Sequence, residues 1–419
     1  MMGKHSVLKT MFMIFMLSIF SVFIFSTPGL AEEKEIIIGQ GAALSGSISA
    51  EIDFFKCRED VFEMLNQSGG IRGHKVKMLW ADAKYQASED IKIYKRFADQ
   101  GIVGYLPGSV GGSEQLKVLG EPYGVPISHP VSSSIMRHPP GMTYPVYPTF
   151  GDCTAGTMDW DVKNMWKKSG KPKVAVVTND TAYGKSVEEA VPYLKSKGIE
   201  LVFTAYVSPT AVDLSPQLLQ ADQAGADFIL SCPLSESKPL IRDFKRLKLN
   251  EKGMKIVCPW AVSLLSTHPG SAQEGSGFVM GPFQVVLPEF EGKYGLPSVE
   301  VLKKFQISKY GKIVPSGLYW GVIPGAVVLA EAIGKAIDAV GFDNLKGREV
   351  AKQFETLNVP AEKTYGLTPA LKATPGKRGM MDKSIVAIAK DGKWDALSGW
   401  VDMPNLQDWK EAHPEFYKK

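Results

Sequence analysis

Short apolar runs alternate with amphipathic stretches along most of the chain, and this pattern predicts alternating strands and helices. In the first half of the chain the predicted strands are 36–38, 76–80, 102–106 and 125–128. The predicted helices are 53–67, 88–100 and one that begins near Ser113, after the loop 108–112. This β-α-β-α rhythm favours a parallel sheet with helices on both faces.

The same rhythm repeats in the second half. The predicted strands there are 173–178, 200–206, 227–231 and 255–257, and the predicted helices are 185–197, 215–224 and 236–247. Ser215 followed by Pro216 is typical of a helix start, because serine caps the end and proline suits the first turn. Two runs of one pattern predict two similar α/β lobes, with Pro145, Pro148 and Gly151 marking the crossing between them.

Two further elements are predicted after the glycine- and proline-rich stretch 270–298. Residues 318–340 are predicted to form a second amphipathic helix, and residues 380–397 a β-hairpin around the turn pair Asp391-Gly392. Because one isolated hairpin is not stable alone, we expect it to pack onto a lobe. These patterns do not determine how often the chain crosses between the lobes.

Residues 1–31 have the three parts of a secretory signal peptide. Lys4 and Lys9 precede the apolar run 11–25, and Gly29-Leu30-Ala31 provides a small-x-small exit. The run is shorter than the about 20 apolar residues of a membrane-spanning helix, which disfavours an uncleaved anchor. No cysteine lies at the cleavage point, so a lipid-tethered form is not expected. We predict a soluble protein that is cleaved after Ala31 and located in the periplasm.

The composition, 44% apolar and 22% charged, is that of an ordinary globular protein. Removing residues 1–31 leaves 388 residues, which is more than one hydrophobic core usually supports, so two domains are expected. Lysine and arginine total 48 against 44 acidic residues, and two of these positive charges are lost with the signal segment. The remaining net charge of +2, without a dense basic patch, makes nucleic acid an unexpected partner.

The four cysteines are few for a disulfide scaffold and lack metal-type spacing. Cys232 and Cys258 each follow a short apolar run, and neighbouring parallel strands would bring their sulfur atoms close together. Two alternatives stay open for this pair: a disulfide, which export permits, and buried thiols.

Motifs of catalytic, metal or cofactor chemistry are absent from the sequence. Gly184-Lys185-Ser186 resembles the end of a phosphate-binding loop, but position 179 is asparagine where that loop requires glycine. The histidines outside the signal segment have spacings that suit no metal site: His74, His129, His138, His268 and His413. We therefore expect no enzyme activity, no cofactor and no metal. Ser109 or Ser132 near His129 is the one grouping that offers a nucleophile and a base.

The loops that follow the strands carry the most information, because ligands of open α/β sheets bind beyond the carboxyl ends of the strands. These loops are 43–51, 108–113 and 129–134 in the first lobe, and 179–184, 232–235 and 259–263 in the second. Loops 108–113 and 132–134 are rich in glycine and serine, whose backbone N–H groups and hydroxyls suit a carboxylate. Turn formation and helix capping are the alternative explanation for either loop.

Several segments resemble the periplasmic binding proteins of branched-chain amino-acid ABC transporters, the leucine/isoleucine/valine-binding type. The resemblance covers the whole mature chain and rests on five segments: Ile38-Gly39 to Gly46, Leu65-Asn66 with 69–75, Asp82, Asn179-Asp180 with 183–185, and 213–215 leading to Ala226-Asp227. It implies two doubly wound parallel-sheet lobes, joined by a three-crossing hinge, that close around a small ligand and deliver it to a membrane permease. The implied lobes are 35–149 plus 288–365 and 150–287 plus 375–419, and a monomer is usual for the family.

The resemblance also implies a set of ligand-binding residues. The ligand's carboxylate would meet Gly111, Gly112 and Ser132, with Ser109 in the same loop region. Val131 would offer its carbonyl to an amine, and Tyr183 would close over the ligand from the second lobe, its alternative role being packing behind Gly184.

Three departures from the family pattern bear on the ligand. Trp260 stands where amino-acid binders carry the acid that pairs with the ammonium, and Glu51 stands where they often have an aromatic residue. The usual half-cystine pair is missing, its positions falling near Lys84 and Val110. Either Glu51 or Asp180 supplies the counter-charge that a buried ammonium requires, or the ligand has no ammonium and lies against Trp260. Lobe packing is the alternative role of Trp260, and exposure to solvent that of Glu51.

A receptor for an importer is accordingly the expected function, with either a branched-chain amino acid or an aromatic or other non-amino carboxylic acid as ligand. An enzyme on this scaffold would need a nucleophile–base pair across the cleft, for which no motif exists. A cytoplasmic regulator would lack the signal peptide, and a membrane sensor would need a spanning helix.

Overall fold

The computed structural model describes residues 34–46, 48–49, 52–131, 133–260, 278–314, 317–390 and 393–417. The body Ile36–Lys419 is one compact unit that contains two large sheets. The predicted signal peptide, Glu51 and Ser132 lie outside the described residues, as does the predicted hairpin turn Asp391-Gly392.

The first sheet has five parallel strands in the order β2-β1-β3-β4-β5. They are β1 (Ile36–Ala42), β2 (Val76–Asp82), β3 (Tyr105–Leu106), β4 (Ile127–His129) and β5 (Thr143–Pro145). Most residues of β1 are buried, as expected for a strand covered on both faces.

The second sheet has seven strands in the order β14-β13-β10-β9-β8-β6-β7. They are β6 (Lys173–Asn179), β7 (Glu200–Val207), β8 (Phe228–Leu230), β9 (Lys255–Val257), β10 (Val279–Phe283), β13 (Lys383–Lys390) and β14 (Lys393–Asp402). Strands β6 to β10 are parallel, and the predicted hairpin β13–β14 joins them through an antiparallel pairing with β10. Strands β11 (Asn358–Val359) and β12 (Leu371–Lys372) form a separate antiparallel pair.

Helices cover the sheets. They are α1 (Asp53–Gln67), α2 (Ala87–Asp99), α3 (Val110–Leu119), α4 (Ser134–Arg137), α5 (Phe150–Asn164), α6 (Ala182–Lys185), α7 (Val191–Ser196), α8 (Ser215–Gln223), α9 (Ser237–Arg246), α10 (Glu300–Tyr310), α11 (Gly317–Val340), α12 (Gly347–Phe354) and α13 (Leu406–Ala412). The alternation of strands and helices confirms the predicted doubly wound α/β fold.

The chain passes between the two sheets three times. It leaves β5 for β6, returns after β10 to α11, which packs against α1 and β4, and then enters β13. The connecting segments are bonded to the rest of the chain near these passages: Met380 N–H donates to Val146 O at 2.9 Å, and Val286 N–H donates to Leu367 O at 2.8 Å. These passages agree with the three-crossing hinge that the family resemblance implies.

Helix α11 is mostly buried all round, whereas the sequence predicted an amphipathic helix. Within the described residues it alone is long and apolar enough to cross a membrane, with a mean hydropathy of 1.4, and 89% of that apolar stretch is buried inside the protein. Its apolar surface is therefore explained by packing against α1 and β4.

The sequence prediction missed several elements, among them strands β5 and β10 and helices α5, α10, α12 and α13. Strands β5 and β10 contain Pro145 and Pro282, and proline lowers the strand signal because it cannot donate to the ladder. Helix α5 follows the segment that was interpreted only as a crossing. Its start is fixed by a capping box, in which Asp152 N–H donates to Thr149 Oγ1 and Thr149 N–H donates to Asp152 Oδ2, both at 2.9 Å.

The structure decides between the two alternatives for Cys232 and Cys258, a disulfide or buried thiols. Cys57, Cys153, Cys232 and Cys258 are all buried thiols in the structure, and Cys232 and Cys258 do not form a disulfide. Burial raises the pKa of the Cys232 thiol well above its usual value, because the low-dielectric interior disfavours the thiolate.

Candidate functional site

A pocket lies where the loops after the strands of both sheets meet. Its lining is predominantly apolar and aromatic: Ile48, Phe54, Tyr85, Gly108, Ser109, Val110, His129, Val131, Phe150, Tyr183, Pro233, Leu234, Trp260 and Leu318. All six loops singled out in the sequence contribute at least one residue to it. Concave, mostly apolar pockets with a few polar groups are typical small-molecule sites.

The structure brings four of the predicted site residues to the pocket wall, namely Ser109, Val131, Tyr183 and Trp260. Gly111 and Gly112 lie beside it in the first turn of α3, which begins at Val110 and not near Ser113 as predicted. Glu51 and Ser132 fall outside the described residues, so their proposed contacts stay predictions.

The buried carboxylate of Asp90 organises the glycine- and serine-rich loop. Asp90 accepts hydrogen bonds from Ser109 Oγ at 2.6 Å, Gly108 N–H at 2.9 Å and Tyr105 Oη at 3.0 Å. Burial raises the pKa of Asp90 despite these bonds. A Cβ at Gly41 would lie 2.3 Å from Asp90 Oδ1, so glycine is required there for this carboxylate to fit.

Ser109 acts as a helix cap in this arrangement. Its hydroxyl donates to Asp90 and accepts from Gly112 N–H at 3.0 Å. The hydroxyl proton of Ser109 and the amide of Gly112, both predicted to bind a carboxylate, are therefore already engaged within the protein. The first-turn amides of Val110 and Gly111 have no partner within the helix by its geometry. They are the helix-end donors that this loop offers to an anion.

His129 lies at the end of β4 and positions Val131. Its Nδ1 is 3.0 Å from Val131 O, and burial, with the nearby charge of Arg58, lowers the pKa of His129 to about 3. The imidazole is therefore neutral at physiological pH and a weak base. Because Ser109 donates to Asp90 and not to His129, Ser109 does not form the nucleophile–base pair considered from the sequence, and the other candidate, Ser132, lies outside the described residues.

Arg58 on α1 lies behind the same wall and is fully buried. Its Nη1 donates to Pro107 O at 2.8 Å and to Gln40 Oε1 at 3.3 Å, and its Cζ lies 4.5 Å from the ring centre of Phe54. Nε and Nη2 have no hydrogen-bond partner among the residues that the structure describes. Burial lowers the pKa of Arg58 to about 10, which leaves the guanidinium charged at neutral pH.

The wall from the second sheet is aromatic. Tyr183 follows β6 on the short helix α6 and packs edge-on against Phe150, with ring centres 5.0 Å apart. Its hydroxyl also hydrogen-bonds the Cys232 thiol. Trp260 follows β9, is 4% exposed, and lies 5.9 Å from Tyr147 between ring centres. Both residues therefore face the pocket and pack against neighbours at once.

Tyr85 was missed by the sequence analysis although it lines the pocket. Lys84 and Tyr85 have left-handed φ values of +53° and +57°, which non-glycine residues rarely adopt. Asp82 stabilises this turn by accepting from Lys84 N–H at 2.9 Å and from Ser45 Oγ at 2.6 Å. The loop after β2 was left out of the predicted ligand-binding loops, and its sequence has no glycine to announce such a turn.

Carboxylates are absent from the pocket lining among the described residues. Glu236 is a buried acid two residues after the lining residue Leu234. Its oxygens accept from Asn179 Nδ2 at 2.7 Å and from Leu234 N–H at 3.1 Å. Burial raises the pKa of Glu236 to about 7. Asp180, predicted as a counter-charge, instead forms an exposed ion pair with Lys185. A metal-binding group of three or more His, Cys, Asp or Glu side chains is likewise not found in the part of the chain that the structure describes.

Glu189 connects the regions of the two sheets next to the pocket. Its Oε1 accepts from Ser134 Oγ at 2.8 Å, and Ser134 lies after β4 whereas Glu189 lies after β6. Its Oε2 is buried without a partner and would lie 3.0 Å from a Cβ at Gly151. Burial raises the pKa of Glu189 to about 7, helped by the charges of Asp152 and Glu114.

Glu189→Gln is expected to make the stability of the protein less sensitive to pH. The folded pKa of about 7 exceeds the usual 4.5, so between these values the folded state keeps a proton that the unfolded chain releases. Glu189 therefore stabilises the fold below pH 4.5 and loses that contribution as the pH rises to about 7. Relative to the parent protein, the variant should gain on the order of 1 kcal/mol per pH unit across this window. Urea unfolding at pH 5, 6, 7 and 8 measures this, and a constant difference would contradict it.

Comparison with known proteins places this geometry in a family. The chain is 24% identical over 319 residues to the Leu/Ile/Val-binding protein homolog 7 of Brucella abortus (strain 2308), covering 73% of this chain and 77% of the relative. The fold matches the crystal structure of a branched chain amino acid ABC transporter from Thermus thermophilus with bound valine, with a TM-score of 0.75, 18% identity, and 91% and 99% of the two chains covered. It also matches a fatty acid ABC transporter substrate-binding protein from Thermomonospora curvata, with a TM-score of 0.73, 17% identity, and 92% and 96% covered.

The family model for periplasmic binding proteins matches residues 35–393, which is most of the chain. Together with the two sheets, the three passages between them and the pocket at the strand ends, this match confirms the resemblance identified from the sequence. The chain belongs to the periplasmic binding protein family.

Proposed function

We propose that this protein is an exported receptor that binds a small apolar carboxylic acid in the pocket between its two sheets and delivers it to the permease of an ABC importer. The observation that carries the proposal is the pocket itself, which is apolar, lies at the strand ends of both sheets, and has helix-end amides of α3 beside it. No chemical conversion is part of the proposal.

The two sheets would be the cores of two lobes that move relative to each other. We assign residues 35–149 plus 288–365 to the first lobe and 150–287 plus 375–419 to the second. Ligand contacts from both lobes are made fully only when the lobes are closed, so the ligand favours that state by its differential affinity. The permease would recognise the closed arrangement. Export follows from the signal-peptide features of residues 1–31, and we propose that the mature protein is a periplasmic monomer.

The lining favours an acid without an ammonium group over a branched-chain amino acid. A buried ammonium requires a counter-charge or full hydrogen bonding, and the described lining residues supply no carboxylate. Trp260 and Tyr183 offer ring surface to an apolar body in its place. The relatives support the carboxylate class in general, since one structural match is named for valine and another for fatty acid.

A matched ligand panel tests this proposal. We expect 4-methylpentanoate or benzoate to raise Tm more than leucine, valine or phenylalanine, because the amino acids bring an unpaired ammonium. A ligand at a hundred times its Kd stabilises the protein by about 2.7 kcal/mol, which thermal-shift measurement detects easily. Isothermal titration should then give one site per chain. Tighter binding of leucine than of 4-methylpentanoate would overturn the choice of ligand class, and no binding by any member would overturn the proposed function.

A further inference from the structure

Arg58 carries a buried guanidinium near the pocket, and the packing of the fold does not explain why a charged group lies there. It is 0% exposed, and among the described residues its only hydrogen bonds are those of Nη1 to Gln40 and Pro107. Two of its three nitrogen atoms, Nε and Nη2, are buried and unbonded. Buried arginine is normally paired with a carboxylate, because a lone buried charge is strongly unfavourable.

The position of this cation relates it to the ligand. Gln40 belongs to β1 and Pro107 directly follows β3, so the guanidinium lies across the carboxyl ends of two adjacent strands, where α/β sheets bind their ligands. Its two immediate neighbours border the pocket: Phe54 lines it, and Pro107 precedes the lining residues 108–110. The guanidinium therefore does not line the pocket itself but contacts residues that form or adjoin its wall.

Asp90 is the opposing charge in this region, but it does not form an ion pair with Arg58. Its two oxygens are occupied by Tyr105, Gly108 and Ser109. The two groups therefore lie on the same side of the pocket with opposite effects on a bound anion. Removing the positive charge of Arg58 and removing the negative charge of Asp90 should therefore change the affinity for a bound anion in opposite directions.

We propose that Arg58 is a specificity-determining residue, which makes this pocket select an anionic ligand over a neutral one of the same shape. The inference deepens the proposed function and rests on it. A charge one residue away in the protein interior, where the effective dielectric constant is about 20, changes the affinity for a unit anion by at least about tenfold. Its contribution to a neutral ligand is small.

The experiment compares each acid with its own amide in the full purified chain. The pairs are 4-methylpentanoate with 4-methylpentanamide and benzoate with benzamide, measured by calorimetry. Arg58→Met should lower the acid-to-amide affinity ratio at least about tenfold, whereas Asp90→Asn should raise it. Arg378→Met is the matched control, because Arg378 is also a buried arginine but pairs with Glu355 away from this pocket, and it should leave the ratio unchanged.

Because the two variants should change the acid-to-amide affinity ratio in opposite directions, the experiment distinguishes a charge effect from structural damage. Structural damage would weaken binding of acid and amide alike in both variants. Equal loss of acid and amide in Arg58→Met, or a lower ratio in Asp90→Asn, would overturn the role of Arg58 while leaving the proposed function intact. If Arg58→Met does not fold, Asp90→Asn still decides, together with Arg58→Lys, which should keep the preference for the acid. Failure of every probe to bind the parent protein would instead remove the proposed function, and this inference with it.

Discussion

Replacing Trp260 by alanine is expected to weaken binding of a carboxylate such as 4-methylpentanoate by about 100-fold. Trp260 follows β9 and presents its ring to the pocket while the side chain is 4% exposed. Loss of a buried aromatic wall at the centre of a site commonly costs at least about 2 kcal/mol, and about 2.7 kcal/mol corresponds to a hundredfold change in Kd. Calorimetric titration measures the effect, with unfolding followed separately to exclude general destabilisation.

Trp260→Glu provides the complementary variant. A carboxylate at this position would stand where the amino-acid binders of the family carry their acid, so the preference should move from plain acids towards amines. Leucine should then bind better than 4-methylpentanoate, which reverses the order expected for the parent protein. An unchanged ligand order in this variant, or unchanged affinity in Trp260→Ala, would show that Trp260 does not line the site.

Asp60→Ala is expected to cause the largest loss of stability, about 3 kcal/mol. Asp60 on α1 is 2% exposed and accepts from Lys309 Nζ and Tyr310 Oη at 2.6 Å and from Tyr319 Oη at 2.7 Å. It thereby ties α10 and α11 to the first sheet's layer. Removing it leaves the partly buried Lys309 ammonium with Glu63 as its remaining carboxylate and takes this acceptor away from two hydroxyls.

The control for this prediction is Glu63→Ala on the same helix. Glu63 also contacts Lys309, but its side chain is 39% exposed, so its removal should cost less than about 1 kcal/mol. Urea unfolding of both variants gives the comparison. A similar small loss in both would mean that the three bonds to Asp60 add little to stability.

The alternation of strands and helices could be predicted because each buried parallel strand is a short, nearly uninterrupted apolar run. This held for β1, β6, β8 and β9, whose sequences are dominated by valine, isoleucine and other apolar residues. Strands β5 and β10 escaped because Pro145 and Pro282 contradict the local propensity, and only tertiary pairing places these segments in a sheet. The capping box at Thr149 was a legible signal for α5 that the neighbouring prolines obscured.

The pocket was only partly predictable, for physical reasons that differ by residue. Tyr183 and Trp260 could be placed because they follow strands at the sheet edge. Tyr85 depends on two left-handed residues that are stabilised by a distant loop, a tertiary effect without a local pattern. Arg58 was not singled out from the sequence, because arginine on a helix is usually exposed, and its burial depends on how α1 lies across β1 and β3.

The long buried helix α11 has a consequence for how the protein reaches its destination. In the proposed export, taken through a channel for unfolded chains, Gly317–Val340 has none of the neighbours that cover it in the folded protein. A stretch of this length and hydropathy then competes between passing through and being retained in the lipid. Pro324 and the glycines at 321, 325 and 334 lower the intrinsic helix propensity of the segment, so the same residues that shape packing in the finished protein also oppose a spanning helix before folding.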